Sequence, residues 1–149
     1  MPKFRNYKER GEWVEAQFIA EAMRHGYKVL KPWGESSPFD VALYFGSRIV
    51  RVQVKSTSAR KRTGYLCHLR SAPQRPYTLA NVDFFASYVI PQDVWYLIPA
   101  QVVVGKIREG LMVCPMQRPK INRYHYERYR EAWPLLRPKP EKKPRRGGR

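Results

Sequence analysis

Asp40, Gln53 and Lys55 are an acid, an amide and an ammonium close together in the chain, with Gln53 and Lys55 two residues apart. On a strand, that spacing turns both side chains to one side of the sheet. Two oxygen donors and a cation suit one kind of work. The oxygens can hold a hard divalent ion, and the ammonium can meet a phosphate or orient a water. Hydrolysis of a phosphodiester needs that set: an ion on the scissile phosphate, an activated water, and stabilisation of the developing charge.

The stretch that carries them, residues 38–57, predicts a β-hairpin. Phe39, Val41, Leu43 and Phe45 alternate with other residues, Gly46-Ser47 turns the chain, and Val50, Val52 and Val54 alternate again. Ahead of it, Gly11 to about His25 predicts a helix with Gly26 as its stop. Its wet face is Gln17, Glu21 and Arg24, and its buried face Phe18, Ile19, Ala22 and Met23. Glu15 falls within the buried face, where a carboxylate needs a partner or a metal. A rim carboxylate paired with an arginine is the competing reading. Glu12, in the first turn, is explained by the helix dipole alone.

Tyr27 to Lys31 reads as a short strand, and 32–37 as a loop whose Ser36 and Ser37 stand ready for a phosphate. After Lys55, Ser56-Thr57 lead into a turn with three consecutive cations, Arg60, Lys61 and Arg62, and then a strand from Tyr65 to Arg70. A basic finger there suits a DNA backbone, as do Arg70 and Arg75. Val82 to Ile90 and Asp93 to Pro99 predict two strands joined at Pro91-Gln92. A short helix or turn and a weak strand near Leu111 to Cys114 follow. Tyr124 to Leu136 predicts a second amphipathic helix, with Tyr126, Tyr129, Trp133 and Leu136 on one side and Pro134 bending it.

The charge points the same way. Against 12 Asp and Glu stand 29 Lys and Arg, a net of +17. Residues 137–149 hold seven basic residues and one acid, a net of +6, which leaves +11 on residues 1–136. A basic globule of this kind meets nucleic acid through phosphate contacts and counterion release. A ribosome-associated protein is the alternative. At 149 residues the chain predicts one domain, 1–136, and a disordered basic tail, 137–149. No apolar run is long enough for a membrane span, and the N-terminal segment lacks the apolar stretch of a signal peptide. Cys67 and Cys114 lack metal-ligand spacing, so free thiols and a cytoplasmic location are expected.

Gly11-x-x-x-Glu15, Pro38-Phe39-Asp40 and Gln53-Val54-Lys55-Ser-Thr together resemble the PD-(D/E)XK nuclease superfamily. The Gln-x-Lys variant resembles the branch of group I intron homing endonucleases, and Gly11-x-x-x-Glu15 is similar, more distantly, to the helix motif of archaeal Holliday-junction resolvases. Val82-Asp83-Phe84-Phe85, Trp95 to Pro99 and Tyr129 to Trp133 are similar to that branch's later landmarks. The resemblance covers roughly residues 8–136. It implies an α/β restriction-endonuclease-like core, a mixed sheet of about four to six strands flanked by helices. It implies Mg²⁺- or Mn²⁺-dependent DNA cleavage, with catalytic roles at Glu15, Asp40, Gln53 and Lys55. Asp40, Gln53, Glu15 and the Val54 carbonyl would form the metal shell. Double-stranded or branched DNA is the implied substrate, and cutting both strands calls for a homodimer or homotetramer. Where family patterns carry an acid, Gln53 is neutral. A non-catalytic nucleic-acid-binding module of the same fold, or an RNA-processing protein, are the competing functions.

Overall fold

The computed structural model describes residues 1–70, 76–107, 109–116 and 125–140. Helix α1 spans Tyr7–Arg24 and so begins ahead of the expected Gly11. The reason is a cap: the Asn6 side chain accepts the Glu9 N–H at 2.9 Å, and the Glu9 carboxylate accepts the Arg5 N–H at 2.6 Å. These bonds satisfy amides that a helix start leaves unpaired. The end is where the sequence puts it. Gly26 takes φ 82°, and the N–H groups of Gly26 and Tyr27 bond back to the Met23 and Ala22 carbonyls. Val14, Phe18 and Ala22, four residues apart, form the buried stripe. Met23, expected in it, is 61% exposed, because it lies about 100° around the helix from Ala22.

Eight strands follow: β1 (Lys28–Leu30), β2 (Val41–Phe45), β3 (Arg48–Thr57), β4 (Arg60–Lys61), β5 (Gly64–His68), β6 (Phe84–Val89), β7 (Val94–Pro99) and β8 (Gly110–Val113). A short helix, α2, covers Ala100–Val103. The main sheet has five strands in the order β1-β2-β3-β6-β7, and only the β3–β6 contact is parallel. β4, β5 and β8 form a smaller antiparallel sheet. This is the mixed α/β, restriction-endonuclease-like architecture expected. Gly46, at φ 72°, occupies the first turn position between β2 and β3, as a glycine-first two-residue hairpin requires.

Alternation along β3 splits the core in two. Val50, Val52 and Val54 pack with Val14, Phe18 and Ala22 of α1 on one face of the main sheet. On the other face Phe85, Tyr96 and Ile98 pack with Tyr65, Cys67, Leu111 and Val113 of the small sheet. Gln53 and Lys55 lie on this second face, opposite Phe85 and Ser87 in register. Both cysteines are free and buried, and burial pushes the Cys67 thiol up to about 11.

Two expectations are corrected. The finger after Lys55 is not one turn of three cations: Arg60 and Lys61 form β4, paired with β5, and only Arg62 stands in the turn. The C-terminal segment is not one helix. It forms two 3-10 turns, His125–Tyr129 and Trp133–Leu136, separated at Glu131, whose φ is 49°. Long-range bonds impose the break. The Glu131 carboxylate accepts the Trp95 N–H and the Trp133 indole N–H, each at 2.7 Å, and the Tyr27 hydroxyl donates to the Trp133 carbonyl at 2.6 Å. The apolar side of that segment still docks, with Trp133 and Leu136 fully buried. Of the basic tail, residues 137–140 are described; Arg48 donates to the Lys139 carbonyl and Arg137 lies over the Tyr27 ring. Among the described residues no helix is long and apolar enough to cross a membrane.

Candidate active site

A mismatch in strand length makes the site. β3 has ten residues and β2 has five. β2 pairs with Arg48–Val52, while Gln53–Thr57 pair with β6 alone. Asp40, just ahead of β2, stands where the missing strand would run. Its N–H donates to the Val52 carbonyl at 3.1 Å. Its Oδ2 accepts the Val54 N–H at 2.8 Å and the Gln53 Nε2–H at 2.6 Å. An extended residue turns its N–H and C=O to the same edge, so the Val54 carbonyl faces the same gap.

Burial pushes the Asp40 carboxyl up to about 6. The Val54 N–H opposes the rise, the Glu15 charge adds to it, and Lys55 and Lys31 pull it down. Oδ1 of Asp40 and Oε1 of Gln53 have no hydrogen-bond partner among the described residues. Two free oxygens on neighbouring residues, with a second carboxylate close by, form a hard donor set that fits Mg²⁺ or Mn²⁺. Among the described residues no three His, Cys, Asp or Glu side chains gather into a metal cage.

Glu15 reaches the site from α1, around the edge of the sheet. Its side chain is 27% exposed and is paired with the Lys31 ammonium, which also donates to the Asp40 carbonyl at 3.3 Å. So Glu15 is a rim carboxylate with a lysine partner, rather than a member of the buried stripe. A cleft of about 680 Å³ opens beside it, with Lys8, Glu12, Glu15, Lys31, Glu35 and Asp40 on its walls. Lys55 shares its face with Gln53, but its ammonium turns to the Arg70 carbonyl at 3.3 Å and over the Tyr77 ring at 5.2 Å. The structure thus joins Asp40, Gln53 and Val54 directly, joins Glu15 through Lys31, and holds Lys55 one step away.

Lys31 is the residue that sequence reasoning missed. Its signal lies in register: Leu30 pairs with Ala42, so the next residue falls beside Asp40 and Val41. The expected DNA-contact residues divide. Arg60, Lys61, Arg62, Arg70 and Ser36 are exposed, and Ser56 is half-buried. The Ser37 hydroxyl accepts the Phe39 N–H at 3.4 Å. Thr57 is corrected: it is 2% exposed, and its hydroxyl donates to the Leu66 carbonyl and accepts the Ala59 N–H. It ties β3 to β5 and has nothing left for a phosphate. Arg75 lies outside the described residues.

Residues 5–136 match a family model described as PD-(D/E)XK endonuclease. Among solved structures, the chain is similar to a bacterial homing endonuclease, I-Ssp6803I. The identity is 26% and the TM-score 0.72, over 89% of this chain and 92% of that one. It is also similar to Hjc, a Holliday junction resolvase from the archaeal hyperthermophile Archaeoglobus fulgidus. There the identity is 17% and the TM-score 0.49, over 68% of this chain and 81% of that one. A comparison with curated proteins finds no match.

Proposed function

The chain belongs to the PD-(D/E)XK endonuclease family, and from that premise we propose that it hydrolyses DNA phosphodiesters with a divalent ion at Asp40. The observation that carries this is the Asp40 carboxylate itself. It is fixed by two donors on Oδ2, raised to about 6 by burial and by Glu15, and open at Oδ1. Asp40, the Gln53 oxygen, the Val54 carbonyl and Glu15 would hold Mg²⁺ or Mn²⁺. An ion bound there supplies Lewis-acid polarisation of the scissile phosphate and a water of lowered pKa. The Val54 N–H and Gln53 amide keep the Asp40 oxygens oriented. Lys55 is held by a carbonyl and a ring face and has no carboxylate partner among the described residues. It therefore has no ion pair to break before meeting a phosphate. Arg60, Lys61, Arg62, Arg70 and Arg75, with Ser36, Ser37 and Ser56, would take the flanking DNA backbone. Two copies of the chain would be needed to cut both strands.

The test is nicking of supercoiled plasmid in Mg²⁺ by the pure protein beside its Lys55→Ala variant. Loss of nicking in the variant is expected; equal nicking by both proteins sinks the assignment. The neutral Gln53 and the turned-away Lys55 favour one other reading, a module that binds DNA and does not cut it. It predicts salt-dependent binding with no cleavage in Mg²⁺ or Mn²⁺.

A further inference from the structure

Lys31 has two bonds, and they lead to the two carboxylate residues of the site. Its ammonium donates to the Glu15 carboxylate and, at 3.3 Å, to the Asp40 carbonyl. It lines the same cleft as both acids. We propose that Lys31 is an exchangeable counter-ion: it neutralises Glu15 while no metal is bound, and yields that carboxylate when a divalent ion arrives. This rests on the reading of Asp40 and Glu15 as metal ligands.

Three observations carry it. First, Lys31 stands between the two acids: its ammonium is bonded to the Glu15 carboxylate and to the Asp40 carbonyl, in a cleft that both acids line. Second, the ammonium and the ion compete for the same side chain: the Glu15 oxygen bound to Lys31 is not free to coordinate, and a dication beside it repels an ammonium. Third, the exchange is easy. The Lys31 side chain is 53% exposed, so water replaces the lost bond, and a pair this exposed is weak. The Asp40 carbonyl stays within reach, so the released ammonium remains at the cleft wall. There it becomes a second cation for a bound phosphate, on the β1 side of Asp40, with Lys55 on the β3 side.

A plain strut between α1 and the segment after β1 would stabilise the protein equally with and without metal. An exchangeable counter-ion would not. Thermal unfolding of the full chain, without DNA, separates the two. Wild type, Lys31→Met and Lys31→Gln are melted in EDTA and again in saturating Mn²⁺, and Mn²⁺ affinity is taken by calorimetry. Mn²⁺ is expected to raise the wild-type Tm. Both variants should melt below wild type in EDTA and level with it in Mn²⁺, and should bind Mn²⁺ about two- to fivefold more tightly. The same Tm deficit in EDTA and Mn²⁺, or weaker Mn²⁺ binding, overturns the exchange and leaves the metal reading standing. A wild-type Tm that Mn²⁺ does not move overturns the metal reading and the exchange together.

Discussion

Two aspartates grip β3 by its backbone, three residues apart and from opposite edges. Asp83 accepts the Arg51 N–H at 2.7 Å, and Asp40 accepts the Val54 N–H at 2.8 Å. Their charge environments differ. Asp83 also takes the Arg51 guanidinium at Nε and Nη2, each at 2.9 Å. Burial raises its carboxyl, but the bonds and charge of Arg51 outweigh that and hold it below the usual carboxylate range. Asp40 has a neutral amide in place of the guanidinium and a second carboxylate nearby, and it rises to about 6. Part-burial and a backbone bond are common to both. What separates scaffold from candidate site is whether the structure supplies a matched cation.

The contrast breaks most sharply in activity. Asp40→Asn should cut plasmid nicking in Mg²⁺ about a thousandfold, roughly 4 kcal/mol of transition-state stabilisation. Asp83→Asn should leave the rate per folded molecule within about twofold of wild type. Comparable losses in the two variants would erase the distinction.

Stability should move in opposite directions. Asp83 is lowered in the fold, so its contribution is present above the unfolded value of 3.8 and is lost as pH falls through its folded value. Asp83→Asn should therefore cost about 2 kcal/mol at pH 8, read by urea unfolding, and little in acid. Asp40 is raised, so the folded state binds its proton more readily than the unfolded state. Its ionisation cost grows as pH rises from 3.8 to about 6 and is constant above that. Asp40→Asn should therefore stabilise the metal-free protein at pH 8, by on the order of 1 kcal/mol, with the gain fading toward pH 4. A destabilised Asp40→Asn at pH 8 would show that its bonds to β3 outweigh its charge.

Metal affinity should follow the same group. Mn²⁺ binding by calorimetry should weaken as pH falls through about 6, because the ion takes the carboxylate and not the acid. The smallest expected effect is at Gln53. Gln53→Glu adds a charge beside Asp40 and should raise its carboxyl further. It should lower metal-free stability by about 1 kcal/mol and tighten Mn²⁺ binding. An unchanged affinity would mean that position 53 does not face the ion.

Where local rules govern, the sequence was readable. Alternating valines and Gly46-Ser47 placed the hairpin, and Gly26 ended α1, because a turn and a helix stop are settled by a few adjacent residues. The start of α1 is equally local, in the Asn6 cap and Glu9. The break at Glu131 was not readable, since partners distant in sequence hold it. Period two puts Gln53 and Lys55 on one face of β3, while the bond from Gln53 to Asp40 depends on where β2 begins, which the period does not encode. Lys31 needed the β1–β2 register, and the aim of the Lys55 ammonium needed Arg70 and Tyr77, neither of which period or spacing encodes.

Asp40 also closes a gap. Where β2 stops, β3 runs on through Gln53–Thr57 with a partner on one flank only. An open strand edge invites a foreign strand, and proteins guard such edges with charge and with short lengths. Here the guards are one carboxylate and one lysine two residues beyond Gln53. Extending β2 backwards would heal the sheet and replace the Asp40 side chain with an ordinary ladder bond. As it stands, the Val54 N–H is held by a side chain and not by a neighbouring strand, so the sheet ends there in a carboxylate.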